Sequence, residues 1–126
     1  MRIENMFNMS NIMGTAMQGA VTRNQIIANN IANVDTPGFK RNVVAFEDQL
    51  RDAVNNFRNT GSLDLSVVRP VVSQEYSWLN FRLDENNIDI EFEMAALYQN
   101  SVRFDTLSSG IMHHYRMISN VINMVV

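Results

Sequence analysis

The residues of this chain that could do chemistry are few, and their spacing does not converge. His113 and His114 are adjacent. On a helix adjacent side chains diverge by about 100°, so the pair cannot chelate one metal. Asp84, Glu85, Asp89, Glu91 and Glu93 form an acidic cluster, but it lacks the spacing and central glycine of an EF-hand loop. A capping and solvated-turn role is the better reading. Glu47, Asp48 and Asp52 beside Arg51 and Arg58 read as a solvated helix face with weak ion pairs. There is no cysteine, hence no thiol nucleophile, disulfide framework or Cys-type zinc site. No H-E-x-x-H, G-x-S-x-G or P-loop pattern occurs. The expectation is a protein that is not an enzyme and carries no cofactor or metal.

Charge is distributed unevenly. Residues 1–40 carry only Arg2, Glu4, Arg23, Asp35 and Lys40, and from Thr106 onward the sole charge is Arg116. The net charge of −3 and a single lysine exclude an electrostatic footprint for nucleic acid. No apolar run approaches the roughly 20 residues of a membrane span. The start, Met1-Arg2-Ile3-Glu4-Asn5, lacks the apolar core and cleavage site of a signal peptide. The outer faces of both terminal segments carry Asn, Gln, Ser and Thr where a solvated helix carries charge. Such faces are cheaper to bury against neighbours than charged ones.

The elements that would position these residues follow from periodicity. Met6, Met9, Met13, Ala16, Ala20, Ile27 and Val34 fall on the a and d places of a seven-residue repeat, with Arg23 and Asn30 in the d places between. This predicts a helix over about Ile3 to Asn33, roughly 45 Å long. Gly14 and Gly19 weaken it and allow close approach of another backbone. Val43, Phe46, Leu50, Ala53, Val54 and Phe57 keep helical spacing and predict a short helix. Leu63, Leu65 and Val67 alternate with polar residues and predict a strand. Val71 through Trp78, after Pro70, suggests a second extended piece. Tyr76 and Trp78 read as core more readily than as a partner site.

The strongest repeat comes last. Ile90, Leu97, Phe104, Ile111, Ile118 and Val125 recur every seven residues, with Met94, Ser101, Ser108, Tyr115 and Ile122 in the d-like places. Asp89 is the expected N-cap. The fold expected is mainly α: long N- and C-terminal helices paired as a coiled-coil hairpin, with a short helix and a short β or irregular middle. The chain reads as one domain over 1–126, divided into 1–34, 35–88 and 89–126. Apolar residues off the two seams want a second partner, and the seam residues are the candidate assembly interface.

After Val34 the repeat stops. Asp35-Thr36 precede a proline, which disfavours helix at Thr36. Pro37-Gly38 suits the centre of a type II turn. The run Asn29, Asn30, Ile31, Ala32, Asn33, Val34, Asp35, Thr36, Pro37, Gly38, Phe39 resembles the N-terminal signature of the flagellar rod and hook axial family, A-N-N-I-A-N-x-x-T-P-G-[FY]-[KR]. Here it reads from Ala28 to Lys40 without a gap. Within that family three features favour the proximal-rod members. The chain is short. It lacks the β-rich insertion of the hook and distal-rod relatives. Asn87 to Met94 resembles the N-[VI]-D-x-[DE]-x-E-M start of their C-terminal helix.

That resemblance implies a structural subunit polymerising through its terminal helices into the proximal part of the hollow drive shaft of the basal body. It implies export by the flagellar export apparatus without a cleaved signal. The implied partners are the chain itself, other rod proteins, and a basal-body ring or rod-junction protein, with no nucleic acid and no membrane span. The alternative is a soluble coiled-coil adaptor or export-chaperone-like module using the same seams.

Overall fold

The computed structural model of the chain describes residues 3–75 and 85–124, with side chains from Phe7 onward. Tyr76, Trp78, Asp84 and Val125, and the side chain of Met6, lie outside the described residues. In chain order the elements are α1 (Ile3–Ala32), β1 (Asn42–Ala45), α2 (Glu47–Thr60), β2 (Val71–Gln74) and α3 (Ile90–Asn123). None of the described helices is long and apolar enough to cross a membrane.

The two long helices form an antiparallel hairpin. Asn30 meets Glu93, Ala20 meets Asn100, and Gly110 faces Met13, so α1 numbers fall as α3 numbers rise. On α1 most of the expected seam is used: Ala20, Ile27 and Asn30 are buried and Met13, Ala16, Arg23 and, just past the helix, Val34 half-buried, while Met9 is exposed. On α3 the expectation needs a correction. The a residues Leu97, Phe104, Ile111 and Ile118 do turn inward, half-buried, while Ile90 is exposed. The second row facing α1 is not Met94, Ser101, Ser108, Tyr115 and Ile122. It is Glu93, Asn100, Leu107 and His114, one residue earlier in each heptad. Met94, Tyr115 and Ile122 are exposed. Three of the four inward residues are polar, so apolar periodicity alone favoured the wrong row.

α1 ends where the proline signature says it must. Phe39 N–H donates to the Thr36 carbonyl at 3.3 Å, and Gly38 between them has φ +69°, the left-handed conformation a type II turn requires of its third residue. Asp89 caps α3, its Oδ1 accepting from the N–H groups of Glu91 (2.9 Å) and Phe92 (3.2 Å). Gly61, also left-handed, closes α2 by donating to the Phe57 carbonyl at 2.8 Å.

The middle departs from expectation at two places. The short helix starts at Glu47, not Val43. Asn42-Val43-Val44-Ala45 is a strand, antiparallel to β2 with Asn42 opposite Gln74 and Ala45 opposite Val71. Its β-branched pair suits a pleated surface, and the spacing that mimicked a helix turn comes from a strand running into a helix. The second departure is Leu63 to Val67, which is not a strand. Asp64 Oδ1 accepts from both the N–H and the hydroxyl of Ser66, at 2.9 and 2.6 Å, and Val68 N–H donates to the Leu65 carbonyl. These local bonds divert the backbone from a ladder. The expected second extended piece is present as β2, with β1 as its partner.

Candidate assembly interface

Where the chain leaves α1 and where it enters α3, a set of buried amides and charges ties three segments together. Asn30 is fully buried and sits like one residue of a strand beside β1. Its Oδ1 accepts from Asn42 N–H at 3.0 Å and its Nδ2 donates to the Asn42 carbonyl at 2.8 Å. The same Nδ2 reaches Glu93 Oε2 at 3.2 Å. Arg41 completes the cluster. Its Nε donates to Glu93 Oε1, its Nη1 to Glu75 Oε2 at 2.7 Å, and its guanidinium lies 4.8 Å from the Phe92 ring centroid. Burial works against the Arg41 charge, but the two carboxylates outweigh it and hold its pKa above the ordinary arginine value.

Asn86 and Asn87 extend this clasp. Asn86 Nδ2 donates to the carbonyls of Asn33, Val34 and Thr36 at 2.9–3.0 Å, closing the C-terminal end of α1. Asn87 Oδ1 accepts from Arg41 N–H at 2.7 Å and its Nδ2 donates to the Glu75 carbonyl at 3.0 Å. Neither is solvated, although both lie inside the acidic stretch read as a solvated turn. Both are buried because they satisfy backbone groups that no helix or sheet ladder reaches. Glu93 likewise is an interior ion-pair partner and not a surface carboxylate at a helix start.

About two turns nearer the start of α1, a second cluster fastens α2. Arg23 donates to Glu47 Oε1 and, at 2.9 Å, to the Val44 carbonyl. Its guanidinium also lies 5.3 Å from the Phe46 ring centroid. Phe46 packs on Gly19 so closely that a Cβ there would lie 2.3–2.6 Å from ring carbons. Burial pushes the Glu47 carboxyl up, but the Arg23 hydrogen bond and charge, with the backbone bonds, carry it below its ordinary value. Asn30 and Arg23 together occupy outward-facing backbone groups of β1, which blunts that edge against a foreign strand.

The other half of the hairpin is different. Phe7 and Met9 on α1, Met112, Tyr115, Met117, Val121 and Ile122 on α3, and Met124 just past it, are exposed, with only Arg116 among the charged residues of that stretch. Of the sequence-selected interface residues, Met9, Ile90, Met94, Tyr115 and Ile122 therefore lie on the outside of this chain. Met13, Ala16, Ala20, Ile27, Val34, Leu97, Phe104, Ile111 and Ile118 are half-buried or buried within it.

The structure adds residues that sequence reasoning passed over. Arg41, Asn86, Asn87 and Asn100 carried no periodic signal. Asn100 is buried against α1, its Nδ2 donating to the Ala20 carbonyl at 2.7 Å and to Asn24 Oδ1 at 2.8 Å. The only available hint was negative: Arg23 and Asn30 interrupted the α1 seam, and polar residues inside a seam need partners across it.

The family profile described as "Flagella basal body rod protein" matches residues 11–40, most of α1 together with the turn. Flagellar basal body rod protein FlgB of Borrelia hermsii is 35% identical, the match covering 79% of this chain and 84% of that protein. The FlgB of Yersinia ruckeri is 32% identical over 67% of this chain and 71% of that one. The FlgB of Bacillus subtilis is 25% identical over 85% and 87%. Matches of this extent take in much more than the turn signature. On these grounds the chain belongs to the flagellar basal body rod protein FlgB family.

Proposed function

We propose that the chain is a structural subunit of the flagellar basal-body rod and polymerises through α1 and α3 into the proximal part of that hollow shaft. The observation that carries the reading, beside family membership, is the charge-poor half of the hairpin with its exposed apolar side chains. In a soluble monomer such a surface is a liability. In a subunit packed on every side it becomes core. The terminal-helix seam residues form the assembly interface in this reading, the exposed ones directly and the buried ones by setting the shape of the hairpin. The 1–126 chain acts as one rod-protein domain. Other rod proteins, a basal-body ring or rod-junction protein and the export apparatus are its partners, and it leaves the cell without a cleaved signal. The adaptor alternative gains no support from the relatives.

Ile122→Asp and Tyr115→Asp test the reading. Both positions are exposed, so the monomer keeps its helices. In an assembled rod each would bury an unpaired carboxylate, which costs several kcal/mol. Cells carrying either variant in place of their own subunit should make the protein and build no rod, while Asn59→Asp on exposed α2 should leave rods intact. Normal motility with both helix variants would refute the proposal.

A further inference from the structure

α3 has two opposite flanks that complement each other. On the flank toward α2 a groove of about 450 Å³ opens between α1, α2 and α3, with apolar walls that include Ala16, Leu50 and Leu107. Arg103 stands at its rim, exposed and held only loosely, 3.9 Å from Glu47. Asn100 also lines it, and the Asn100 Oδ1 is a buried acceptor that no described group satisfies. On the other flank Tyr98, Asp105 and Met112 follow one another at seven-residue spacing and make a ridge. Tyr98 is 73% exposed. Asp105 has no cation within ion-pair distance among the described residues. Two residues apart on a helix is a rotation of about 200°, so Asp105 and Arg103 point to opposite sides.

We propose that the groove of one copy receives the Tyr98–Asp105 ridge of a second copy of this chain. Tyr98 supplies an apolar ring for the walls. Asp105 pairs with the loosely held, exposed arginine at position 103 of the partner copy. The two surfaces lie on opposite flanks of one helix, so each copy offers one of each and the contact is heterologous. It propagates and does not close a dimer, which is what a tubular polymer needs. The inference rests on the rod-subunit reading and assigns to it a specific lateral contact.

A charge swap tests it. Sedimentation and light scattering of the purified full chain over a concentration series measure self-association, with circular dichroism confirming unchanged helix content. Arg103→Asp and Asp105→Arg should each weaken association by on the order of tenfold, the equivalent of about 1.4 kcal/mol. The double variant should recover most of the loss. Tyr98→Ala should weaken it further than either, because a central tyrosine is a common hot spot. Single swaps that associate like wild type, a double variant no better than the singles, or a wild-type chain monomeric up to its solubility limit each overturn the contact. Should Arg103→Asp misfold, Asp105→Arg alone still decides, since Asp105 holds nothing among the described residues. Complementation of a strain lacking its own subunit separates the two readings. Rods built equally well by the wild-type chain and the swap variants defeat this contact alone, whereas no rods from the wild-type chain defeat the rod reading.

Discussion

The two halves of one hairpin are built on opposite principles. From Ala20 to Val34, facing Asn86 to Asn100, the interior sets amides and charges, each with a named partner or backbone group to satisfy, among Ala20, Ile27 and Ile88. From Phe7 to Ala16, facing Leu107 to Met124, the polar residues are almost all uncharged, and thioethers, aromatics and aliphatics lie between them, many of them outside. A polar interior has one geometry that works. Sliding α3 by one turn, about 5.4 Å, would leave Glu93 and Arg41 buried without each other. An apolar seam tolerates such a slip, because one methionine fills another's place at little cost. The clasped half therefore holds a single register, and the open half inherits that register while leaving many of its apolar side chains exposed.

The sharpest way to break this contrast is to cut the clasp. Glu93→Ala should cost about 3–5 kcal/mol, because Arg41 loses its buried partner and Asn30 an acceptor. Met112→Ala in the open half should cost within about 0.5 kcal/mol. Urea unfolding of the monomer measures both, and equal costs would erase the distinction. The next effect is smaller and has two signs. Gly19→Ala places a Cβ into the Phe46 ring and should destabilise by about 1–3 kcal/mol. Gly14→Ala, with nothing within 4 Å of its Cβ, should stabilise by about 1 kcal/mol through helix propensity. Thermal melting of the two variants should move in opposite directions.

The smallest effect concerns pH. The folded-state pKa of Glu47 lies below its ordinary value of 4.5, so its pairing with Arg23 stabilises fully above 4.5 and is lost as pH falls through the lower folded value. In Glu47→Gln the acid limb of the stability profile should flatten slightly. The carboxylate is partly open to solvent, which keeps the change modest. An acid limb steeper than wild type would contradict the assigned direction.

Much of this architecture was legible in advance because it is local. The Pro37-Gly38 turn, the Asp89 cap and both long helices follow from residues within a few positions of the feature. What escaped was the polar face of α3. Met94, Tyr115 and Ile122 looked like seam because they are apolar, while Glu93, Asn100 and His114 looked like surface because they are not. Only the approach of Arg41 and of the α1 carbonyls makes burying such groups favourable, and those contacts span 52–80 residues of chain. The strand at Asn42–Ala45 escaped for the same reason, since its partner is almost thirty positions away and its outer edge is completed by side chains of α1.

The capping of α1 by Asn86 has a consequence for the order in which the molecule comes together. The carbonyls at the end of that helix wait for a side chain 50–53 positions downstream, and closing so long a loop precedes the reward. A chain delivered N-terminus first can wind α1 early, but it cannot finish that helix's end or set the bearing of the segment beyond Gly38 until two-thirds of its length has arrived. The closing of that helix end is thus expected late in folding.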